Sequence, residues 1–241
     1  MTTIADNLQR VLDRVSHACA QAGRPSGSVA LLAVSKTFGP EAVAQAAAAG
    51  QRAFGENYIQ EGVEKIQALR AQGWHALEWH CIGPIQSNKT RLVAEHFDWV
   101  HTVDRLKIAE RLSAQRPEGL PPLQVCIQVN VDGGANKSGV APSEAAALVQ
   151  SVAALPRIEV RGLMSIPEPA EDFETQLQAH RAAHQLWQAL QAAGLPGLAR
   201  FDTLSMGMTG DLDAAIHAGS TMVRVGTGIF GGRSYPTPAT A

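Results

Sequence analysis

Short apolar runs separated by helical stretches recur eight times along the chain, at 29–34, 53–55, 79–83, 99–103, 123–129, 160–166, 201–204 and 222–225. That rhythm constrains the fold more than any other feature. Strands joined by helices must run parallel, and parallel strands covered on both faces read as continuous apolar runs rather than as an alternation. Ala-, Leu- and Gln-rich segments such as 41–49, 58–71, 143–154 and 175–192 supply the intervening helices. The run at 53–55 is the least strand-like. Eight βα units predict an α/β protein built as a single TIM-like (β/α)8 barrel, with an open doubly wound sheet as the competing architecture. An extra helix precedes the first strand. Thr3 and Asp6 have capping-box spacing, Ile4, Leu8, Val11, Leu12 and Val15 share one face, and Gly23, Arg24 and Pro25 end it. Residues 1–233 are expected to form the barrel, and 234–241, with Pro236 and Pro238, a flexible tail.

The 241 residues suit one large domain, and 45% hydrophobic against 17% charged residues is enough for a sizeable core. A formal net charge of -2 without a basic run speaks against nucleic acid and anionic membranes as partners. Cys19, Cys81 and Cys126 are odd in number and far apart, so neither a disulfide framework nor a zinc motif is expected. Asp6 and Asn7 interrupt the N-terminus where a leader would be apolar, and no run is long enough to span a bilayer. These features predict a soluble, cytoplasmic monomer.

In a barrel, chemistry collects where the strands end. The first strand runs into Ser35-Lys36-Thr37 and the second into Glu56-Asn57-Tyr58. The fifth ends near Gln128 and Asn130, the seventh runs into 205–211, and the eighth passes through Arg224 into Gly226-Thr227-Gly228. Lys36 starts inside the barrel, where lost hydration lowers an amine's pKa and favours imine formation; a solvated or carboxylate-paired lysine is the plain alternative. The loops after strands seven and eight are rich in glycine and hydroxyls, as in barrel phosphate cups, with Ser205, Gly207, Gly226 and Thr227 as donors; ordinary tight turns are the alternative. A phosphate cup beside an imine-competent lysine suits a phosphorylated carbonyl ligand. Pyridoxal phosphate fits, and so does a sugar phosphate in a Schiff-base aldolase. Arg224, within a strand, needs a ligand or an ion pair. Placed at a pyridine nitrogen, it would oppose ring protonation and weaken the electron sink.

Two patterns mislead. Gly226, Gly228 and Gly231 match a dinucleotide fingerprint, but no further strand and acidic residue follow at the required distance. His180 and His184 stand four apart without the glutamate and third ligand of a zinc site, so they are expected on a solvated helix face. The other histidines receive no assignment.

Several spaced segments together resemble one family. They are 31–37, 54–58, His80-Cys81-Ile82-Gly83 with Gln86, Asn88 and Lys89, and Asn130 with Lys137-Ser138-Gly139. Gly162-Leu163-Met164, 204–208 with Asp211, and 223–227 complete the set. Nearly the whole chain is thereby similar to the pyridoxal phosphate homeostasis proteins, single-domain relatives of the alanine racemase N-terminal barrel. The resemblance implies a cofactor imine at Lys36 and phosphate contacts around Ser205, Gly207, Gly226 and Thr227. It implies Asn57 and Arg224 near the cofactor, with Arg224 at the pyridine nitrogen and Met206 in the pocket wall. Lys137 is a second candidate for transient cofactor handling. Phe38, Pro84, Thr209 and Gly228 depart from the family's commoner residues, and Phe38 removes an accessory lysine. The resemblance implies a carrier or buffer of pyridoxal phosphate with no metal and no catalytic residues, with apo-enzymes that need the cofactor as its partners. An amino-acid racemase is the competing function, for which Tyr58 and Tyr235 are the only tyrosines.

Overall fold

The computed structural model describes residues 2–134 and 138–232. After helix α1 (Ile4–Gln21), β1 (Ala30–Val34), β2 (Ala53–Glu56), β3 (Glu78–Cys81), β4 (Trp99–Val103), β5 (Leu123–Val129), β6 (Ile158–Ser165), β7 (Thr203–Ser205) and β8 (Met222–Val225) follow in order. Each strand pairs in parallel with the next, and β8 returns to β1, so the sheet is a closed barrel and the open-sheet alternative is excluded. Helices α2 (Pro40–Ala48), α3 (Ile59–Ala71), α4 (Thr90–His96), α5 (Leu106–Gln115), α6 (Pro142–Ala153), α7 (Phe173–Ala192) and α8 (Leu212–His217) connect the strands. A single turn, α9 (Thr227–Phe230), follows β8. The predicted tail at 234–241 lies outside the described residues, as does Lys137.

Local chemistry explains where elements begin. The Thr3 hydroxyl accepts from the Asp6 amide at 3.1 Å, and the Asp6 carboxylate accepts from the Thr3 amide at 3.0 Å, which satisfies orphan donors at the start of α1. Leu8, Val11 and Val15 are buried as the helical period requires, whereas Leu12, expected on the same face, is 39% exposed at the edge of the stripe. The β3 run stops at Cys81 rather than at 83. A side chain at Gly83 would overlap the Asn57 carbonyl, so the backbone crosses the end of β2 there instead of continuing the ladder. The seventh strand is displaced forward, to Thr203–Ser205.

Side chains alternate between the two sides of a barrel wall. The main apolar core lies between strands and helices, with Ala33, Phe54, Trp79, Val100, Ile127, Leu163 and Val223 meeting residues such as Val43, Ile66, Phe97, Leu112 and Val149. The interior is different. Trp99, Cys126 and Met164 form a small separate cluster, and beside it lie His80, His101, Ser205 and Arg224, all buried. Runs that look uniformly apolar in sequence therefore carry a polar inner face.

One buried ion pair ties β1, β2 and α3 together. The Lys65 ammonium donates to Glu56 Oε1 at 2.6 Å and to the Ser35 carbonyl at 2.9 Å, and the Ser35 hydroxyl donates to the same Glu56 oxygen at 2.6 Å. Burial pushes the Glu56 carboxyl above its ordinary range, and Lys65 and Ser35 act in the opposite direction. Removing one partner from such a pair leaves a buried group without compensation. Lys65→Met is expected to lower the unfolding free energy by about 3–5 kcal/mol, read from urea denaturation. The double variant Glu56→Leu/Lys65→Met should recover most of that loss, and equal losses in the two would contradict the pairing.

Candidate functional site

The strand ends converge on one mouth. A cavity of about 240 Å³ there is lined by Lys36, Asn57, Arg224, Gly226 and Thr227, together with Met208, Thr209 and Gly210 and the apolar side chains of Val34, Ile82 and Ile166. That volume is below the roughly 300–1,000 Å³ typical of drug-sized ligands and suits a small one. A larger groove of about 430 Å³, bordered by Thr37, Pro40, Glu61 and Ala68, lies beside it, between α2 and α3.

Lys36 leaves β1 in a turn held from both sides. The Ser35 amide donates to the Gly55 carbonyl at 3.0 Å, and the Thr37 amide donates to Glu61 Oε1 at 2.6 Å. Thr37 has φ +69°, a left-handed conformation unfavourable for a branched side chain. The neighbouring ion pair fixes Ser35, so the turn bearing Lys36 keeps this strained shape. Asn57 follows β2, and Gly83 presses directly against its backbone. Asn57 Oδ1 is buried without a hydrogen-bond partner, an unmet acceptor in the cavity wall.

Arg224 forms the floor. Its Nη1 donates to Ser205 Oγ at 2.8 Å and its Nη2 to the Ser165 carbonyl at 3.0 Å. Burial pushes its pKa down to about 10, while Asp211 acts to raise it, so the guanidinium stays charged at neutral pH. Burial works against ionisation of Asp211, but a 3.0 Å contact with His180 Nε2 and the Met208 amide at 2.6 Å hold its carboxyl below the ordinary range. His180 is therefore buried and bonded, which corrects the expectation of a solvated face. His184 is partly buried and stacks on Trp187 with centroids 5.8 Å apart. Both lie inward because α7 packs that face onto β6 and α8.

The loops after β7 and β8 make the opposite wall. The Thr227 hydroxyl donates to Thr209 Oγ1 at 3.3 Å, and Gly226 opens α9, whose first N–H groups lie at the cavity rim. A Cβ at Gly226 would press within 3.2 Å of the Val34 carbonyl. Helix α1 braces this wall. Asn7 donates to the Ile229 carbonyl at 2.9 Å, and Arg14 to the Thr209 carbonyl at 2.8 Å and to Asp213.

The other three predicted residues sit behind the wall. Ser205, Met206 and Gly207 are buried and do not line the cavity. The Ser205 hydroxyl is engaged with Arg224 and His101, and the Gly207 carbonyl accepts from the Arg224 amide at 2.9 Å. Sequence reasoning missed Ile82, Ile166, Thr209 and Gly210 as lining residues. Thr209 and Gly210 were within a loop already singled out, whereas the two isoleucines differ in no visible way from core residues. It also left His80 and His101 unassigned, although their positions within apolar runs place polar rings in the core.

Comparison with known proteins agrees with this architecture. The alanine racemase N-terminal domain family matches residues 7–234. Curated relatives named pyridoxal phosphate homeostasis protein include one of Vibrio cholerae, 55% identical over 98% of both chains. Another, of Escherichia coli strain K12, is 52% identical over 98% of this chain and 99% of its own. Among solved structures, PipY of Synechococcus elongatus, described with PLP bound, is 36% identical, with a TM-score of 0.77 over 90% of this chain and all of its own. An alanine racemase of Clostridium difficile, 16% identical, superposes with a TM-score of 0.74 over 97% of this chain and 58% of its own and shows the shared fold.

Gly207 and Gly210 separate backbone constraint from ordinary loop tolerance. Gly207 has φ +94°, and a Cβ there would overlap the Ala215 methyl, whereas Gly210 has open space around it. Gly207→Ala is expected to destabilise by about 1–3 kcal/mol and Gly210→Ala by no more than about 0.5 kcal/mol. Paired chemical denaturation curves provide the check.

Proposed function

The chain belongs to the pyridoxal phosphate homeostasis proteins, and from that premise we propose that it binds pyridoxal 5′-phosphate in the strand-end cavity, holds it covalently and reversibly on Lys36, and serves as a carrier or buffer of the cofactor. The observation that carries this reading is the grouping of one lysine, one buried charged guanidinium and a helix N-terminus with two threonine hydroxyls around a single small cavity.

Bound pyridoxal phosphate supplies an aldehyde that condenses reversibly with a primary amine, and a ring nitrogen that accepts a hydrogen bond. Lys36 provides the amine. Gly226, Thr227 and the first turn of α9, with Thr209 opposite, provide donors and a partial positive charge for the phosphate. Arg224 provides a donor for the ring nitrogen. Asn57 provides a polar stretch of the wall beside it, and Val34, Ile82 and Ile166 provide the apolar walls. Ser205, Met206 and Gly207 act from behind, Ser205 by holding the guanidinium and Gly207 by its bond to the Arg224 backbone.

The same residues support a binding role over catalysis. A guanidinium charged at neutral pH opposes a second positive charge on the ring nitrogen, and so weakens the electron withdrawal that carbanion chemistry needs. Apart from Lys36, no side chain in the cavity lining among the described residues is suited to exchange protons near neutral pH. Tyr58 is 56% exposed and lies outside the lining. Apo-enzymes that require the cofactor are the proposed recipients. We place the protein in the cytoplasm as a monomer whose folded unit spans 1–233. Buried free thiols at Cys19, Cys81 and Cys126 fit a reducing compartment. Among the described residues no helix is long and apolar enough to cross a membrane.

Purified protein mixed with pyridoxal phosphate is expected to develop a visible absorption band, and borohydride should fix the label on the Lys36 peptide. Lys36→Ala should abolish the band, and pyridoxal, lacking the ester, should bind far more weakly. A label found mainly on Lys89 or Lys137 would remove Lys36 from its role. Loaded protein incubated with L- and D-amino acids should show racemisation, transamination and decarboxylation well below about one turnover per second, and should restore activity to a cofactor-free enzyme. Chiral chromatography reads the first outcome; turnover at ordinary enzyme rates would establish the racemase reading instead.

A further inference from the structure

We propose that His101 and His80 are positioning residues, which fix the Arg224 guanidinium through a hydrogen-bonded chain that runs one way through the barrel interior and ends on Glu78. The chain is continuous. Arg224 Nη1 lies 2.8 Å from Ser205 Oγ, which is 2.9 Å from His101 Nδ1. His101 Nε2 is 2.9 Å from His80 Nδ1, and His80 Nε2 is 2.8 Å from Glu78 Oε1. Ser205, His101 and His80 are fully buried, so no solvent satisfies them. Glu78, at the start of β3, has a side chain 45% exposed at the opposite end of the barrel from the cavity.

The two ends set the direction. A guanidinium only donates, and a carboxylate only accepts. His80 must therefore carry its proton on Nε2, toward Glu78. As a neutral ring its Nδ1 then accepts, so His101 donates from Nε2 and accepts at Nδ1. Ser205 donates to that Nδ1 and accepts from Arg224. Every link has one proton, and both imidazoles are the Nε2–H tautomer. The reverse polarity needs an imidazolium at His80 and leaves the Ser205 proton without an acceptor among the described residues. Charge on His101 is disfavoured too: burial first, and the nearby Arg224 charge, hold its pKa well below the ordinary value. The bond from His80 keeps the Glu78 carboxyl low and ionised. Trp99 stacks on His80 with centroids 5.2 Å apart and an 11° interplanar angle, which fixes the ring plane.

The consequence falls on Arg224. With the Ser205 proton committed to His101, Ser205 Oγ is an obligate acceptor for Nη1, and the Ser165 carbonyl is one for Nη2. Nη1 and Nη2 are thereby anchored on the last residues of β7 and β6, and Arg224 is held as part of the cavity lining. The effect on bound cofactor rests on the function proposed above; the polarity of the chain does not.

The test therefore begins without cofactor. Nitrogen-15 spectra of histidine-labelled protein should show His80 and His101 neutral, with Nδ1 unprotonated and Nε2 protonated. Resolved, slowly rotating Nη signals of Arg224 should collapse in His101→Leu and persist in His101→Gln, whose amide presents an acceptor and a donor in the same order. If His101→Leu does not fold, Ser205→Ala takes its place with the same expected collapse. A protonated His101 Nδ1, or Arg224 signals unchanged in the broken-chain variant, overturns the proposal whether or not pyridoxal phosphate binds. In wild-type protein that does bind it, His101→Leu should weaken affinity about tenfold, the scale of one lost hydrogen bond to a charged group, and shift the visible band. His101→Gln should stay within about twofold. Failure of the wild type to bind pyridoxal phosphate at all would overturn the carrier function and leave the spectra to decide the chain.

Discussion

A guanidinium charged at neutral pH within a barrel strand sets the terms for everything around it. Moving such a group out of water costs several kcal/mol unless acceptors replace its hydration. Arg224 stands opposite Leu32 in the β1–β8 ladder, and its neighbours on the other side supply the Ser205 hydroxyl and the Ser165 carbonyl. Those acceptors make further demands. A buried hydroxyl that accepts must also donate, and the donation passes through His101 and His80 to a carboxylate that reaches solvent. The interior of the barrel is thus given to polar bonding, and the bulk of the apolar core lies outside, between strands and helices.

The mouth is built on supports of comparable rigidity. The turn carrying Lys36 includes a threonine at φ +69°, a conformation that persists because Glu61 binds its amide and the Glu56–Lys65 pair holds Ser35. Strain of this kind at a strand end is a common accompaniment of ligand sites. Across the cavity, α1 performs the support. Its Asn7 and Arg14 reach the carbonyls of Ile229 and Thr209 and clamp the two loops that form that side of the cavity. The N-terminal helix, which precedes the first strand, is structurally part of the site.

These supports also bear on the choice between carrying a cofactor and using one. The lining holds a lysine and a buried guanidinium charged at neutral pH, the two groups to which the proposed function gives attachment and the ring nitrogen. Tight, oriented holding of a reactive aldehyde requires no more than that. Families that share this barrel fold at low identity can therefore differ in activity through the groups that face the mouth.

Much of this was legible in the chain itself. The alternation of apolar runs and helical segments determined a parallel, eight-stranded sheet, and the polar residues immediately after those runs marked Lys36, Asn57, Gly226 and Thr227 as neighbours. Chain order suffices there because strand ends in a barrel all reach the same face. What sequence could not decide was direction and depth. A run apolar on both faces has no readable period, so it does not show that His80, His101 and Arg224 share the inner side while Trp79, Val100 and Val223 face the helices. Nor does it show that Ser205 and Met206 lie behind the cavity wall, that Leu12 escapes burial, or that His180 is covered by Asp211. Those facts depend on the register of the closed ladder and on which helix covers which strand. They exist only once the eighth strand has paired with the first.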